Sequence, residues 1–441
     1  MKILKCTAIL FLFILQSTAV FSAEPLGKRI VLDNGMVLLL AEKHAIPVVT
    51  VSMAFLAGRT AEPADTPGLA SITASLLTQG TEKRSAKQIS REIDFIGGSL
   101  SGSGGDDYAS ASLRVLSKDI RTGFDLLSDV LLHPVFDQKE IDRKVKETLA
   151  AIQRQKEEPS DIARNAFDKA LFGNNAYGRT SDDTAAFLPR LTRGDIVAFH
   201  AERYRPDSAV IAVVGDVTEK EIVSLLREYF ASWKKGAQAL PPAAPLPTVD
   251  KRELRKIDKD ITQATIIMGE VAISRENPDF YACSVMNYIL GGGGFSSRLM
   301  DNIRDNKGLA YDVHSSFAAQ KYPGAFSIAI QTKNESANEV IVEAFKEIDR
   351  IRTGLVSEKE LADAKAYLTG SFPLRIDTSA KIASLLTTIE LYNLGLDYPG
   401  RYAGLINAVS REDIRRVAQK YLHPDRMMIV VVANQAKANI K

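Results

Sequence analysis

Two stretches of this chain repeat one pattern: residues 192–214, TRGDIVAFHAERYRPDSAVIAVV, and residues 410–432, SREDIRRVAQKYLHPDRMMIVVV. In both, a helical pattern that follows Asp-Ile leads through a Tyr and a Pro into an apolar run typical of a buried strand. A second pair, Asp137–Ile141 and Ser357–Leu361, repeats in the same order, and the offsets agree to within about two residues. Ordered matches at this separation predict an internal duplication.

On either side of these repeats, each half mixes hairpin strands with runs of helices. Asp33–Gly35 stands between two strand patterns and predicts a hairpin turn. Ser85–Gln88 is a capping-box pattern that opens a helix, and Lys139–Ala170 predicts a long helical stretch. The sequence therefore predicts an α+β fold of two homologous domains, each with an antiparallel-rich sheet packed with helices.

The stretch between the halves, GAQALPPAAPLPTVD, is rich in Pro and Ala and has neither helical nor strand periodicity. We interpret residues 236–250 as an extended interdomain linker. The N-terminal domain then spans residues 24–235, and the C-terminal domain spans residues 251–441. Two such domains on a flexible tether would face one another across a cleft, which is a common place for ligands.

The N-terminus has the features of a targeting segment. Residues 1–23 combine two lysines, an apolar stretch from Ala8 to Leu15 and small residues suited to cleavage near Ser22 or Ala23. This pattern predicts a secretory signal peptide, and hence a periplasmic or secreted protein.

The overall composition excludes several classes of protein. The chain is 45% hydrophobic and 25% charged with a net charge of +2, which is ordinary for a globular protein. Without a strong basic excess, nucleic acid is not indicated as a partner. Beyond the N-terminus, no apolar run approaches the roughly 20 residues that a membrane-spanning helix needs.

The second half contains a glycine-led stretch, Leu290–Phe317, which reads LGGGGFSSRLMDNIRDNKGLAYDVHSSF. Four glycines, Gly291–Gly294, interrupt an apolar helical pattern. A short helix is then predicted whose outer edge carries Arg298 and Arg304, with Tyr311 on the strand beyond it. Glycines let another chain approach the backbone closely. The combination indicates a place that holds a peptide or an anion.

Familiar catalytic motifs do not occur in the sequence. Neither H-E-x-x-H nor H-x-x-E-H is present, and there is no G-x-S-x-G elbow or phosphate-binding loop ending in Lys-Ser or Lys-Thr. None of the five histidines has another histidine within helical reach. His314 alternates with Asp312 on the predicted strand, and two interpretations stay open for it: a purely structural side chain, or one that lines a cleft.

The mature chain resembles the pitrilysin/insulysin group of inverted-motif zinc peptidases, in its bacterial, mitochondrial-processing-peptidase-like branch. In active members of that group a first-domain helix reads roughly G-x-A-H-x-x-E-H, followed by G-T. The corresponding residues here are 68–75, GLASITAS, closing with Gly80–Thr81. Ser71 and Ser75 stand where the two zinc histidines would be, and Ala74 stands where the catalytic glutamate would be.

The resemblance also places the third zinc ligand, a glutamate, on a later helix, and the corresponding region Thr148–Ile152 contains none. Zinc requires imidazole, thiolate or carboxylate ligands and an open position for water. Alanine cannot accept a proton from that water. We therefore expect no metal or other cofactor in this chain.

The second half matches the group's I-R-x-x-x-G-L-A-Y pattern at Ile303–Arg304 and Gly308–Tyr311. The resemblance implies that Arg304 and Tyr311 contact the backbone of a bound peptide and support the oxyanion, roles that guanidinium and phenol donors suit. It also implies a substrate-binding loop formed by Gly291, Gly292, Gly293, Gly294, Ser296 and Ser297.

In this branch one chain often carries the zinc helix and another carries the Arg/Tyr pair. The resemblance thus implies an exported, non-catalytic subunit of a heteromeric zinc metalloendopeptidase. Its expected partners are a zinc-bearing homologous subunit, in a heterodimer, and an extended peptide or unfolded polypeptide. Two alternatives remain open: a stand-alone peptide-binding or chaperone-like pseudopeptidase, and a structural core subunit of a larger complex.

Overall fold

The computed structural model describes residues 25–236, 239–247 and 249–440. The signal peptide predicted for residues 1–23 lies outside these ranges. The strands are β1 Lys28–Val31, β2 Val37–Glu42, β3 Val48–Phe55, β4 Ser99–Gly104, β5 Ala109–Leu116, β6 Ala209–Gly215, β7 Glu253–Asp258, β8 Gln263–Val271, β9 Ala310–Phe317, β10 Ala325–Lys333 and β11 Met428–Ala433.

These strands form two sheets of matching topology. The order is β1-β2-β6-β3-β5-β4 in the first sheet and β7-β11-β8-β10-β9 in the second. The pairs β2–β6 and β7–β11 are parallel, and every other described neighbour pair is antiparallel. Strands β2, β6, β3, β5 and β4 thus correspond to β7, β11, β8, β10 and β9. This confirms the α+β fold with two homologous halves.

The α-helices surround the two sheets. They are α1 Leu69–Leu76, α2 Ala86–Phe95, α3 Ile120–Leu132, α4 Gln138–Gln155, α5 Pro159–Phe172, α6 Ser181–Phe187, α7 Arg193–Arg203, α8 Glu219–Phe230, α9 Phe280–Asn287, α10 Ala337–Thr353, α11 Glu358–Gly370, α12 Ser379–Leu391, α13 Tyr398–Asn407, α14 Arg411–Tyr421 and α15 Gln435–Ala438. No helix within the described ranges is both long and apolar enough to cross a membrane.

The local predictions are confirmed with one correction. The Asp33–Gly35 turn joins β1 to β2, and Ser85 caps α2 through a capping box with Gln88. The long helix predicted over Lys139–Ala170 is wrong, because it is divided into α4 and α5. Glu158 takes an extended backbone conformation before Pro159, since a residue that precedes proline disfavours the helical conformation.

Each sheet is covered on its second face by a helix from the opposite half. Helix α5 packs Ala163 and Phe167 against β8 and β11 of the second sheet. Helix α12 packs Ala383 and Leu386 against β3 and β6 of the first sheet. The two halves are therefore in direct contact, in addition to the chain segment that connects them. The reciprocal helices bury apolar surface between the halves, and this holds the halves together.

The described residues of the proposed linker lie along the first half without helix or strand. The side-chain amide of Asn175 donates a hydrogen bond to the Ala244 carbonyl at 2.7 Å, and Arg203 donates one to the Ala239 carbonyl at 3.0 Å. These two bonds attach the described part of the connection to the first half.

A buried carboxylate joins the two halves at their hairpin ends. Asp107, in the turn between β4 and β5, accepts hydrogen bonds from the Tyr177 hydroxyl at 2.5 Å and the Lys321 backbone N–H at 2.9 Å. The Tyr392 hydroxyl, directly after α12, donates a third at 3.3 Å. Burial and the neighbouring Asp107 raise the pKa of both tyrosines, so both phenols remain donors.

We expect Asp107→Ala to lower the free energy of unfolding by about 2–4 kcal/mol, because it leaves two largely buried phenols without their acceptor. Urea denaturation followed by circular dichroism measures this change. Asp65→Ala removes an exposed carboxylate from the same half and should change the stability by less than about 0.5 kcal/mol. Equal effects of the two variants would contradict a joining role for Asp107.

Candidate functional site

Helix α1 holds the three residues that replace the zinc motif. Ser71 is exposed, whereas Ala74 is fully buried. The Ser75 hydroxyl donates a hydrogen bond to the Ile72 carbonyl of its own helix at 2.8 Å. Of these three residues, Ser71 is the exposed one, Ser75 is partly exposed and Ala74 has no polar side-chain atom.

The region of the expected third ligand lies on α4, beside α1. Thr148 donates its hydroxyl hydrogen bond to the Lys144 carbonyl at 2.8 Å, again within its own helix. Zinc does not fit this donor set, because serine and threonine hydroxyls are poor substitutes for imidazole and carboxylate. In the part of the chain that the structure describes, no group of three or more His, Cys, Asp or Glu residues is placed to hold a metal ion.

A pocket of about 370 Å³ lies between α1, α4 and α5, and Ser71 and Thr148 line it. Five charged side chains that the sequence did not single out also line it: Arg59, Glu62, Arg164, Asp168 and Arg179. They belong to three ion pairs: Arg179–Glu62 at 2.9 Å, Arg59–Asp106 at 3.3 Å and Arg164–Asp168 at 3.8 Å. Burial raises the pKa of Asp168 to about 6.

Glu62 keeps α1 in place although the metal chemistry is lost. One oxygen of its buried carboxylate accepts hydrogen bonds from the backbone N–H groups of Gly68 and Ala70, at 3.1 and 2.8 Å, at the start of α1. The other oxygen pairs with Arg179. Burial raises the pKa of Glu62, and these bonds oppose that rise. Because Glu62 and Arg179 are 117 residues apart, no local motif indicates the pair.

The glycine run Gly291–Gly294 lies in the second half of the chain. Helix α9 continues through a wider π-helical turn over Tyr288–Gly292, so the prediction that all four glycines interrupt the helix is wrong. A Cβ at Gly291 would lie 2.6 Å from the Ser315 backbone nitrogen on β9. Glycine is required there because the helix packs directly against the strand.

The predicted substrate-binding loop divides into buried and exposed residues. Gly291 and Ser297 are buried, and the Ser297 hydroxyl donates to the Gly294 carbonyl at 2.6 Å. The side chain of Ser297 thus serves the local fold, which corrects its assignment to a substrate-contacting surface. Gly292, Gly294 and Ser296 are exposed, and Gly293 is partly exposed.

Arg304 lies on a second π-helical segment, Met300–Asn306. This rare geometry is frequent at functional sites. The Asn302 amide donates hydrogen bonds to Glu343 and Glu347 on α10, at 3.2 and 3.0 Å, which fixes the segment. The Arg304 guanidinium lies 4.9 Å from the ring centroid of Phe295, whose side chain is 68% exposed. Among the described residues, no carboxylate forms an ion pair with Arg304.

Arg298 does not lie on the outer edge of this helix, contrary to the prediction. It is 9% exposed and donates two hydrogen bonds to Glu360 on α11, at 2.6 and 3.1 Å. Burial alone would raise the pKa of Glu360, but the bonds from Arg298 and Ser357 lower it to about 2. Arg298 is therefore occupied by a structural pair, and Arg304 is the arginine available to a ligand.

We expect the Arg298–Glu360 pair to stabilise the fold only while Glu360 is ionised. The folded pKa, about 2, lies below the ordinary value of 4.5, so this stability is present above pH 4.5 and is lost as the pH falls towards 2. Glu360→Gln should lower the free energy of unfolding at neutral pH and flatten its dependence on pH in that window. Urea unfolding at several pH values measures this, with the exposed neighbour Glu358→Gln as the control. An unchanged pH dependence in Glu360→Gln would contradict the assignment.

Tyr311 lies in a β-bulge at the start of β9. The register of β9 against β10 shifts between Gln331 and Thr332, so no residue of β10 stands opposite Tyr311. Bulges redirect side chains and are frequent next to active sites. The Tyr311 side chain is 51% exposed. The Leu309 N–H donates to the Ile303 carbonyl at 2.9 Å, which sets the start of β9 beside the end of the Arg304 segment.

A groove of about 470 Å³ separates the start of α5 from the sheet face formed by β8, β9 and β10. Asp312 and His314 of β9 line it, and their side chains lie 2.7 Å apart. His314 therefore lines this groove, which was one of the interpretations that the sequence left open. This groove lies where a helix of the first half meets the sheet of the second.

Two homologous α+β halves, a helix at the position of a zinc motif and an Arg/Tyr pair define the class of two-domain proteins related to metallopeptidases. Two family models match the chain. The one described as insulinase, peptidase family M16, matches residues 37–184, and the one described as the peptidase M16 inactive domain matches residues 190–368. The chain belongs to peptidase family M16, which confirms the resemblance to the pitrilysin/insulysin group.

Relatives span most of the chain. An uncharacterized zinc protease of Streptomyces coelicolor is 29% identical over 357 residues, covering 79% of this chain and 76% of that protein. A peptidase M16 inactive domain from Pseudomonas fluorescens has a TM-score of 0.86 at 28% identity and covers 92% of this chain and 98% of that chain. The periplasmic protease PqqL of Escherichia coli shares the fold, with a TM-score of 0.79 at 17% identity. That match covers 93% of this chain and 46% of PqqL.

Proposed function

We propose that this chain is an exported, non-catalytic subunit of a heteromeric zinc metalloendopeptidase. It binds peptide and supplies Arg304 and Tyr311 to a homologous, zinc-bearing partner. The contrast between the two halves carries this proposal. The residues at the zinc-motif positions of α1 cannot hold the metal, whereas Arg304 and Tyr311 occupy distorted, solvent-accessible elements of the second half.

The two side chains have complementary chemistry for this role. Arg304 is a permanent cation with planar N–H donors, and Tyr311 donates through a phenol at the end of a rigid ring. Donors held in place before the reaction stabilise the oxyanion that develops on a peptide carbonyl. The guanidinium of Arg304 lies over the ring of Phe295, and this cation–π contact favours that position of the side chain. When bound in the partner, zinc supplies the activated water.

Two observations from related proteins and one from this chain support a paired, exported enzyme. The relatives from Streptomyces and Mycobacterium carry the name zinc protease. PqqL, described as periplasmic, contains this fold in 46% of its chain, which leaves room for a second unit of similar size. The N-terminal pattern of residues 1–23 agrees with export.

The test uses this chain and a homologue from the same organism that carries H-x-x-E-H. Each protein alone and their mixture are assayed with an internally quenched peptide, and the zinc content is measured by atomic absorption. We expect this chain alone to show neither cleavage nor stoichiometric zinc, and the mixture to cleave. Cleavage by this chain alone with stoichiometric zinc would refute the proposal. Peptide binding without cleavage by the mixture would favour the stand-alone binding protein.

A further inference from the structure

Phe295 lies between the glycine run and the Arg304 segment, and its side chain is 68% exposed. Single exposed apolar residues are ordinary on protein surfaces, so this exposure alone indicates no function. Two further observations distinguish Phe295 from such residues. Local hydrogen bonds fix the backbone that carries it, and its ring contacts the guanidinium of Arg304.

The loop that carries Phe295 has a defined backbone conformation. Gly294–Ser296 form a short 3₁₀ turn. The N–H and the hydroxyl of Ser297 both donate to the Gly294 carbonyl, at 2.9 and 2.6 Å, and close this turn. Gly294 has a φ of +56°, a left-handed conformation that favours glycine. The position of Phe295 on the surface is therefore set before a ligand binds.

The contacts of the Arg304 guanidinium leave its charge available. The carbon at the centre of the guanidinium lies 4.9 Å from the ring centroid of Phe295, and Nη1 donates to the Sδ of Met300 at 3.9 Å. An aromatic ring and a thioether are weak partners for a cation that has five N–H donors. A carbonyl group that binds Arg304 is therefore placed next to an exposed apolar ring.

The surface on both sides of this contact is open. A Cβ at Gly294, beside Phe295, would meet no atom of the described residues within 4 Å apart from its chain neighbours, and the same holds for Gly308, between Arg304 and Tyr311. Glycine lets another backbone approach closely. In an extended peptide, successive side chains point to opposite faces, so one side chain can contact a surface beside the bound backbone.

We propose that Phe295 determines specificity by binding an apolar side chain of the peptide whose backbone Arg304 and Tyr311 hold. This inference rests on the proposed function and adds the class of substrate: an extended peptide with an aromatic or large aliphatic residue near the cleaved bond. Such a side chain leaves water when it packs on the exposed ring, whereas a hydroxyl or carboxylate gains nothing there. The peptide is the occupant, and not the partner subunit, because the ring lies at the donors that a peptide carbonyl requires.

The experiment measures the binding of four peptides to this protein without a partner subunit. Each is a fluorescein-labelled nonapeptide of Gly, Ser and Thr residues, with Phe, Leu, Ser or Glu at the central position, and binding is followed by fluorescence anisotropy. We expect the Phe and Leu peptides to bind about tenfold more tightly than the Ser and Glu peptides, which is the order of magnitude for burying one large apolar side chain.

The variants separate recognition of the side chain from recognition of the backbone. Phe295→Ala should bring the Phe and Ser peptides within about twofold of each other and leave the affinity for the Ser peptide unchanged. Phe295→Tyr keeps the ring and should keep the preference. Arg304→Ala should weaken the binding of the Ser peptide as well. The control is Phe95→Ala, which removes a ring that is 90% exposed on α2 of the first half and should change neither affinity.

Several outcomes would overturn the inference and leave the proposed function intact. They are equal binding of the Phe and Ser peptides, tightest binding of the Glu peptide, and an unchanged preference in Phe295→Ala. Weaker association of Phe295→Ala with the zinc-bearing homologue at an unchanged preference would place the ring in the subunit interface instead. If this chain alone binds none of the peptides, kcat/KM of the two-subunit mixture for quenched versions of the same four sequences decides by the same ratios. Neither binding nor cleavage of any of them would contradict the proposed function as well.

Discussion

Replacing Arg304 by Ala together with Tyr311 by Phe should lower the kcat of the two-subunit peptidase by about 10²–10³, which is the usual loss when an oxyanion donor is removed. The basis is the position of the pair. Arg304 extends from a π-helical segment without a competing carboxylate in the described chain, and Tyr311 extends from a bulge at the edge of its sheet. If Tyr311 acts only on the transition state, Tyr311→Phe alone should lower kcat and kcat/KM by the same factor.

Two matched substitutions control for loss of fold and of surface charge. Tyr367→Phe removes the hydroxyl of another tyrosine in the same half, which is 57% exposed. Arg401→Ala removes a surface arginine on α13 that pairs with the exposed Asp397. Both control variants should keep the activity of the mixture within about twofold of the parent. Full activity of the mixture with the Arg304/Tyr311 double variant would show that the pair has no catalytic part.

The duplication explains why the two halves present their sites at equivalent places. In the first half α1 follows β3 and packs on the edge strand β4, where a Cβ at Gly104 would lie 2.7 Å from the Ser71 Cα. In the second half α9 and its π-helical extension follow β8, and Gly291 packs on the edge strand β9 in the same way. The backbone arrangement is kept in both halves, while the polar side chains differ.

The features that the sequence predicted correctly depend on local patterns. The repeat around Thr192 and Ser410 consists of a helix cap, a helical periodicity and an apolar strand. Each of these signals is contained in a short continuous stretch of sequence. The same holds for the Ser85 capping box. These signals were sufficient to predict the two homologous halves.

The corrected features depend on partners far away in the chain. The sequence spacing placed Arg298 and Arg304 on the same exposed edge of a helix. It does not reveal that Glu360, 62 residues from Arg298, forms a buried pair with Arg298. The π-helical segment that contains Arg304 has a wider turn than the α-helical periodicity of the sequence predicts. Asn302 of this segment is held by two carboxylates of α10, which lie far from it in the sequence. The bulge at Tyr311 is set by register against β10. The reciprocal packing of α5 and α12 likewise requires the assembled sheets.

Arg179→Ala should lower the free energy of unfolding by about 3–5 kcal/mol, a larger loss than the one expected for Asp107→Ala. Arg179 neutralises the carboxylate of Glu62, whose side chain is 1% exposed, and donates to it at 2.9 Å. Without Arg179 the buried charge of Glu62 is unpaired. Because Glu62 accepts the hydrogen bonds from the backbone at the start of α1, the start of that helix is destabilised as well. Urea denaturation measures the loss, and the exposed Arg154→Ala should leave the stability nearly unchanged.

The pH dependence of Arg179→Ala distinguishes an unpaired charge from simple loss of packing. Burial already raises the folded pKa of Glu62 above 4.5, and removing Arg179 raises it further. A group with a raised folded pKa costs stability as the pH rises through that pKa, so the deficit of the variant should shrink as the pH is lowered from neutral towards 4.5. Adding Glu62→Gln to Arg179→Ala should recover part of the loss and remove this dependence, because an amide carries no charge to leave unpaired. A deficit that is constant across the pH range, with no recovery in the double variant, would show that Arg179 acts through packing alone.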